Sequence, residues 1–142
     1  MISFQDVYYT ASLIEYIGRK TQNHRSDVVR AIGIDGLQAL LDSAPVNHCL
    51  TFEQISDEVI EQYGIASGSY DCVAECNYKV PSYKAIGKVY ARLIEDLAEG
   101  KAVDVNAVYQ VFTSKISDMI SDFNSAFFFA PRSEILFYYK SL

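Results

Sequence analysis

Lysine and arginine are scarce in this 142-residue chain: twelve stand against eighteen aspartates and glutamates, leaving a net charge of −6. General binding to nucleic acid or to an anionic membrane depends on basic side chains meeting phosphates, so neither is an expected partner. Residues 1–64 hold four basic side chains against nine acidic ones, and residues 65–142 hold eight against nine, so neither part is a basic module. Cysteine is limited to Cys49, Cys72 and Cys76, an odd and small number that argues against a disulfide framework. No charged n-region, apolar h-region and cleavage site opens the chain, and the expectation is a reducing, cytoplasmic location. Long apolar runs are missing too. The aromatic stretch Phe123–Pro131 is nine residues long and is interrupted by Asn124 and Ser125, whereas a membrane-spanning helix needs ~20 apolar residues. Glycine-rich phosphate loops, G-x-S-x-G elbows and H-E-x-x-H motifs are absent, which lowers the prospect of a standard enzyme. There is also no internal repeat of 20–50 residues.

Apolar residues make up half of the chain and charged ones about a fifth, an ordinary globular balance in the single-domain size range. Their spacing is helical. Phe4, Val7, Tyr8, Ala11, Ile14, Ile17 and Gly18 recur at the period of a helix with one buried face. "RSDVVRAIG" offers Ser26 as an N-cap and Gly33 as a stop, and "IDGLQALLDSA" reads as a third short helix ending at Pro45. In "LTFEQISDEVIEQYG", Thr51 and Gln54 fit a capping box and Gly64 fits a C-cap. Residues 65–80 show no sustained period and read as a linker that could carry a short helix or strand. Beyond Pro81, the stripe Ile86, Val89, Tyr90, Leu93, Ile94 and Leu97 predicts a long helix ending at Gly100. Asp104 caps a further one whose apolar positions continue for about five turns to Phe123. The short "EGKAV" connection predicts an antiparallel hairpin, and "RSEILFYYKSL" after Pro131 predicts a closing helix. The fold expected is therefore an all-α bundle of about seven helices. An N-terminal cluster of short helices in residues 1–64 packs on a C-terminal hairpin plus closing helix in residues 81–142.

Three stretches could carry chemistry. Arg19 and His24 in "RKTQNH" stand at the R-x-x-x-x-H spacing of the helical HEPN ribonuclease family, which they resemble. What that resemblance implies is RNA cleavage, with imidazole taking a 2′-hydroxyl proton while guanidinium stabilises phosphorane charge. The plainer reading is a solvated helix end where cations meet the macrodipole. Residues 25–43 could form a helix-turn-helix for DNA, with Arg19, Lys20, Arg25 and Arg30 as a local basic patch. Its second helix, however, offers only Gln38 to read bases and carries Asp35 and Asp42, which phosphates repel. His48, Cys49, Cys72 and Cys76 match structural zinc spacings poorly, so no metal or other cofactor is expected and the cysteines read as small buried apolar residues. The acids of "SDEVIEQ" and "ARLIEDLAE" read as charged faces in water.

The C-terminal segment carries the clearest signal. From Asp122 to Leu142 lie seven of the nineteen phenylalanines and tyrosines. Phe127, Phe128 and Phe129 in succession cannot all face one side of a helix or strand. With Phe137, Tyr138 and Tyr139 they predict either a partly exposed aromatic patch, of the kind that marks a protein partner or a homodimer interface, or a segment enclosed between the hairpin and the first helices. Taken together, "EYIGRKTQNHRSDVVRAIG", "NHCLTFEQISDEVIE", "IGKVYARLI" and "ISDFNSAFFFAPRSEI" resemble a family of small bacterial helical proteins, some of them encoded beside toxin-like domains. The resemblance implies a non-enzymatic, antitoxin-like or accessory protein and assigns no catalytic residue.

Overall fold

In the computed structural model, which describes residues 1–142, the first helix opens on a capping box. The Ser3 hydroxyl accepts the Asp6 backbone N–H while the Asp6 carboxylate accepts that of Ser3, which satisfies two of the donors a helix start leaves orphaned. This helix, α1 (Phe4–Thr21), is buried on more than the one face its periodicity predicts. Thr10, Ala11, Ser12, Leu13, Ile14 and Glu15 are consecutive and all buried, so α1 runs through the centre of the bundle. The other helices are α2 (Arg25–Asn47), α3 (Phe52–Tyr63), α4 (Tyr83–Ala98), α5 (Val105–Thr113), α6 (Ile116–Ser121) and α7 (Arg132–Lys140), with a 3-10 turn at Phe127–Phe129. The structure has no strand, and all seven helices contribute to one cluster of 27 buried side chains.

α1 packs mainly on α2 and α4, and α2 mainly on α1 and α5. Tyr16 meets Tyr83 at 5.2 Å between ring centroids, while the Lys88 ammonium lies 5.5 Å from the Tyr8 ring centre. The numbering therefore runs in opposite directions along the two helices, so α1 and α4 are antiparallel. Their close approach depends on Gly87, where a Cβ would come within 2.8 Å of the Ser12 backbone. Only glycine lets the backbones meet this closely.

Three local expectations are corrected. α2 begins at Arg25 with His24, not Ser26, in the cap position; the two short helices expected there follow one another directly and part at Gly33. Gly33 marks the joint as a kink, with φ 76° and ψ 170°, a backbone conformation open to glycine. Pro45 does not end the helix: His48 N–H still donates to the Ala44 carbonyl, and α2 continues to Asn47. The five-turn helix after Asp104 breaks at Ser114, which is extended (φ −84°, ψ 170°). There the Thr113 hydroxyl donates to the Tyr109 carbonyl and that of Ser114 to the Val111 carbonyl. Such side chains compete with the helical ladder, and Arg30 donates to the freed carbonyl of Thr113.

Residues 65–80 form turns without helix or strand. They are stitched down at several points: Gly68 and Tyr70 donate their backbone N–H groups to the carbonyls of Thr21 and Gln22, each at 2.8 Å. Asn124 bonds Glu75 and Asn77 from the other side, and Ile65 and Cys72 are buried.

Candidate partner-binding surface

The buried face of α1 creates a problem that the fold solves with charge. Glu15 is wholly enclosed, and so is Arg25 at the start of α2. Arg25 donates Nε to Glu15 Oε1 at 2.8 Å and Nη2 to Oε2 at 2.7 Å, the bidentate geometry that suits guanidinium to carboxylate. Its remaining donors reach the Asn23 carbonyl and Cys72 Sγ. Burial alone would lower the Arg25 pKa, but the hydrogen bond and charge of Glu15 outweigh it and hold the guanidinium above its ordinary range. Burial pushes the Cys72 thiol up, against the pull of Arg25.

Arg19 joins the same cluster. Its Nε donates to Glu15 Oε2 at 2.7 Å and its Nη2 to the Pro81 carbonyl at 2.8 Å, its guanidinium lies 5.1 Å from the Phe123 ring centre, and its side chain is 17 % exposed. It is not the solvated cation that a helix end suggested. His24 stacks on Tyr70 with centroids 3.8 Å apart and holds Asp118 through Nδ1 at 2.8 Å. No hydrogen bond joins Arg19 to His24. The guanidinium that a phosphodiester would need is committed to a buried carboxylate and a carbonyl. What these residues visibly do is fasten residues 65–81 and α6 to the end of α1.

The basic patch proposed for DNA is likewise taken apart by the fold. Arg25 and Arg19 turn inward, Lys20 pairs with Asp57 at 2.6 Å, and Arg30 pairs with Asp27. Gln38 donates to Asp42 on its own helix. The cysteines are dispersed: Cys72 is buried beside Arg25, Cys76 is half-buried with its sulfur toward the Tyr78 carbonyl, and Cys49 is exposed rather than buried as expected. Cys49 lies in the turn between α2 and α3, where residues 48–51 are all exposed. No three His, Cys, Asp or Glu side chains converge as a metal-ligand set.

The aromatic segment divides between core and surface. Phe127, Phe128 and Tyr139 are half-buried against the core cluster, and Phe128 meets Phe123 edge to face. Phe129 is 84 % exposed, Phe137 66 % and Tyr138 42 %. Phe127, Tyr138 and Phe137 form an edge-to-face chain with centroids 5.6 and 5.8 Å apart. A 3-10 turn explains the split, because three successive residues at about 120° per residue point in three directions.

Beside Phe129 runs a groove of about 620 Å³ between α4, the 3-10 turn and α7. Val89, Leu93 and Ile135 are among its apolar lining, with Tyr8, Phe128 and Phe129 as its aromatic residues. Lys84, Lys88 and Arg92 follow at intervals of one helical turn along the α4 side, and Arg132, tied to Glu95 and Asp96, sits at the α7 side. Sequence reasoning found the aromatics but missed these cations. The signal available was their four-residue spacing in "YKAIGKVYARLI", on the helix face opposite Ile86, Tyr90 and Leu93.

The architecture thus defines the class, an all-α bundle of seven helices with an aromatic edge, none of whose helices is long and apolar enough to cross a membrane. No protein-family model matches the chain, and comparison with curated proteins and with solved structures found none similar to it.

Proposed function

We propose that this chain is a non-enzymatic helical protein-interaction module that binds a second protein, or a second copy of itself, through its C-terminal aromatic edge. One observation carries the reading: Phe129, Phe137 and Tyr138 stand in solvent, with Phe129 on the wall of a formed groove, although the same segment buries Phe127 and Phe128 in part. Apolar area of this kind in contact with water is stabilised when a partner covers it, at roughly 25 cal/mol per Å². The polar cluster at Arg19 and His24 supports the same reading, since its guanidinium is used to hold the fold. Likeness to bacterial proteins encoded beside toxin-like domains would make the role antitoxin-like or accessory.

The test is the solution mass of the chain purified from its native cells at moderate salt, for wild type and for Phe129→Asp combined with Phe137→Asp. The expected result is a stoichiometric complex or a dimer that the double variant loses while its helical circular dichroism is unchanged. A wild-type chain that elutes as a bare monomer, or a complex indifferent to both substitutions, overturns the proposal.

A further inference from the structure

The groove beside Phe129 gathers cations that stand elsewhere only singly: Lys79, Lys101 and Lys115 are also exposed and outside the ion pairs, but are far apart in the chain. Eight ion pairs engage most of the other basic side chains, yet none of them includes Lys84, Lys88 or Arg92. Lys84 and Lys88 instead lie over the rings of Phe52 and Tyr8, at 5.9 and 5.5 Å from the centroids. These contacts orient the ammonium groups without neutralising them. A chain of net charge −6 thus keeps three exposed, unpaired cations in one line along one wall of its main groove.

We infer that this groove recognises an acidic amphipathic helix of a protein partner, a conclusion that rests on the interaction reading above and specifies its partner. The spacing of the cations selects the occupant. Residues four apart on α4 rise about 6 Å, and carboxylates four apart on an opposing helix repeat at the same interval. Such a helix laid along α4 sets its acids against Lys84, Lys88 and Arg92 and turns its apolar face toward Val89, Phe128 and Phe129, the helix-in-groove mode of recognition. Nucleic acid fits less well. Three free cations are few for a phosphate backbone, which the acidic remainder of the surface would repel.

The probe is a fluorescein-labelled synthetic helix carrying glutamate at every fourth position and leucine on the adjoining face, titrated by fluorescence anisotropy. Saturable binding is expected that weakens with added salt and falls about tenfold or more in Lys84→Glu/Lys88→Glu, because like charges then face each other. A companion peptide with lysine in place of glutamate should bind that variant better than wild type, while the variant keeps the helical circular dichroism and melting transition of wild type. No binding of the glutamate peptide near millimolar concentration overturns the inference, as does equal or tighter binding of a glutamine peptide or of single-stranded DNA. A native complex that survives Lys84→Glu/Lys88→Glu but is lost in Phe129→Asp would refute the acidic partner while leaving the interaction reading intact. A dimer abolished by the charge reversal, with no affinity for the peptide, would replace the acidic partner by a second copy.

Discussion

Replacing Glu15 by glutamine should show how much this bundle depends on one buried charge pair. The substitution is nearly isosteric, so packing is preserved while the charge goes. In the native fold Glu15 Oε1 accepts Arg25 Nε, and Oε2 accepts both Arg25 Nη2 and Arg19 Nε. A glutamine amide placed at Oε1 opposes one guanidinium donor with another; placed at Oε2 it opposes two. Either way Arg25 remains wholly enclosed with no counter-charge. Stranding a buried charge in this way costs about 3–5 kcal/mol, a large share of the roughly 5–15 kcal/mol that holds a typical domain folded. Far-UV circular dichroism should place the melting midpoint roughly 10–20 °C lower and show a matching fall in the urea midpoint. The held-up pKa of Arg25 adds a condition. A cation whose folded pKa lies above its unfolded value contributes fully below the latter, which for arginine is far above neutrality, so its part of the deficit should not vary across the neutral range. The double change Glu15→Met/Arg25→Met should recover most of the loss, because apolar replacement of a buried pair is often neutral or stabilising. A loss under about 1 kcal/mol in Glu15→Gln, or a double variant as unstable as the two single losses summed, would refute the reasoning.

Two further outcomes follow from the packing and from the phenols. Gly87→Ala should destabilise the protein by about 1–3 kcal/mol in chemical denaturation, because the new Cβ meets the Ser12 backbone and α1 and α4 must part; an unchanged midpoint would contradict the close approach. Burial pushes the Tyr90 phenol well above its ordinary pKa, and burial with help from Cys72 and Asp118 pushes Tyr70 up to about 12. Because the fold prefers both groups neutral, their contribution is complete below pH about 10 and is lost as the pH rises from there. Stability measured from pH 9 to 12 should therefore fall, and Tyr90→Phe should flatten the slope; an identical slope in that variant would count against it.

The secondary structure was written locally. Ser3, Thr51, Ser82 and Asp104 each place a side-chain oxygen where a helix start needs an acceptor, and the apolar period did the rest in α3 and α4. Breaks set by side-chain competition were harder to see. The Thr113–Ser114 interruption looks like two ordinary helical positions until their hydroxyls are seen bonded to carbonyls on the preceding turn. The exposed aromatic edge was half legible: three successive phenylalanines cannot share one face, but only the 3-10 turn decides that Phe129 is the one in solvent.

Tertiary structure alone decided where the charges went. Arg25 read as part of a surface patch because a sequence shows its charge but not its partner, Glu15, ten residues earlier and on another helix, whereas Arg19 meets the same Glu15 as a local pair four residues apart on α1. One cue was present, since Glu15 is the sole charged residue between Asp6 and Arg19, in a run that apart from Thr10 and Ser12 is apolar, aromatic or glycine. An acid surrounded by core residues must be drawn in with them and must find a cation there. The groove cations show the converse. Lys84, Lys88 and Arg92 share a face of α4 by sequence period, but they form the wall of a groove only because α7 and the 3-10 turn close the other side. Periodicity fixes which residues share a face within one helix, whereas the surroundings of that face depend on contacts between helices distant in the chain.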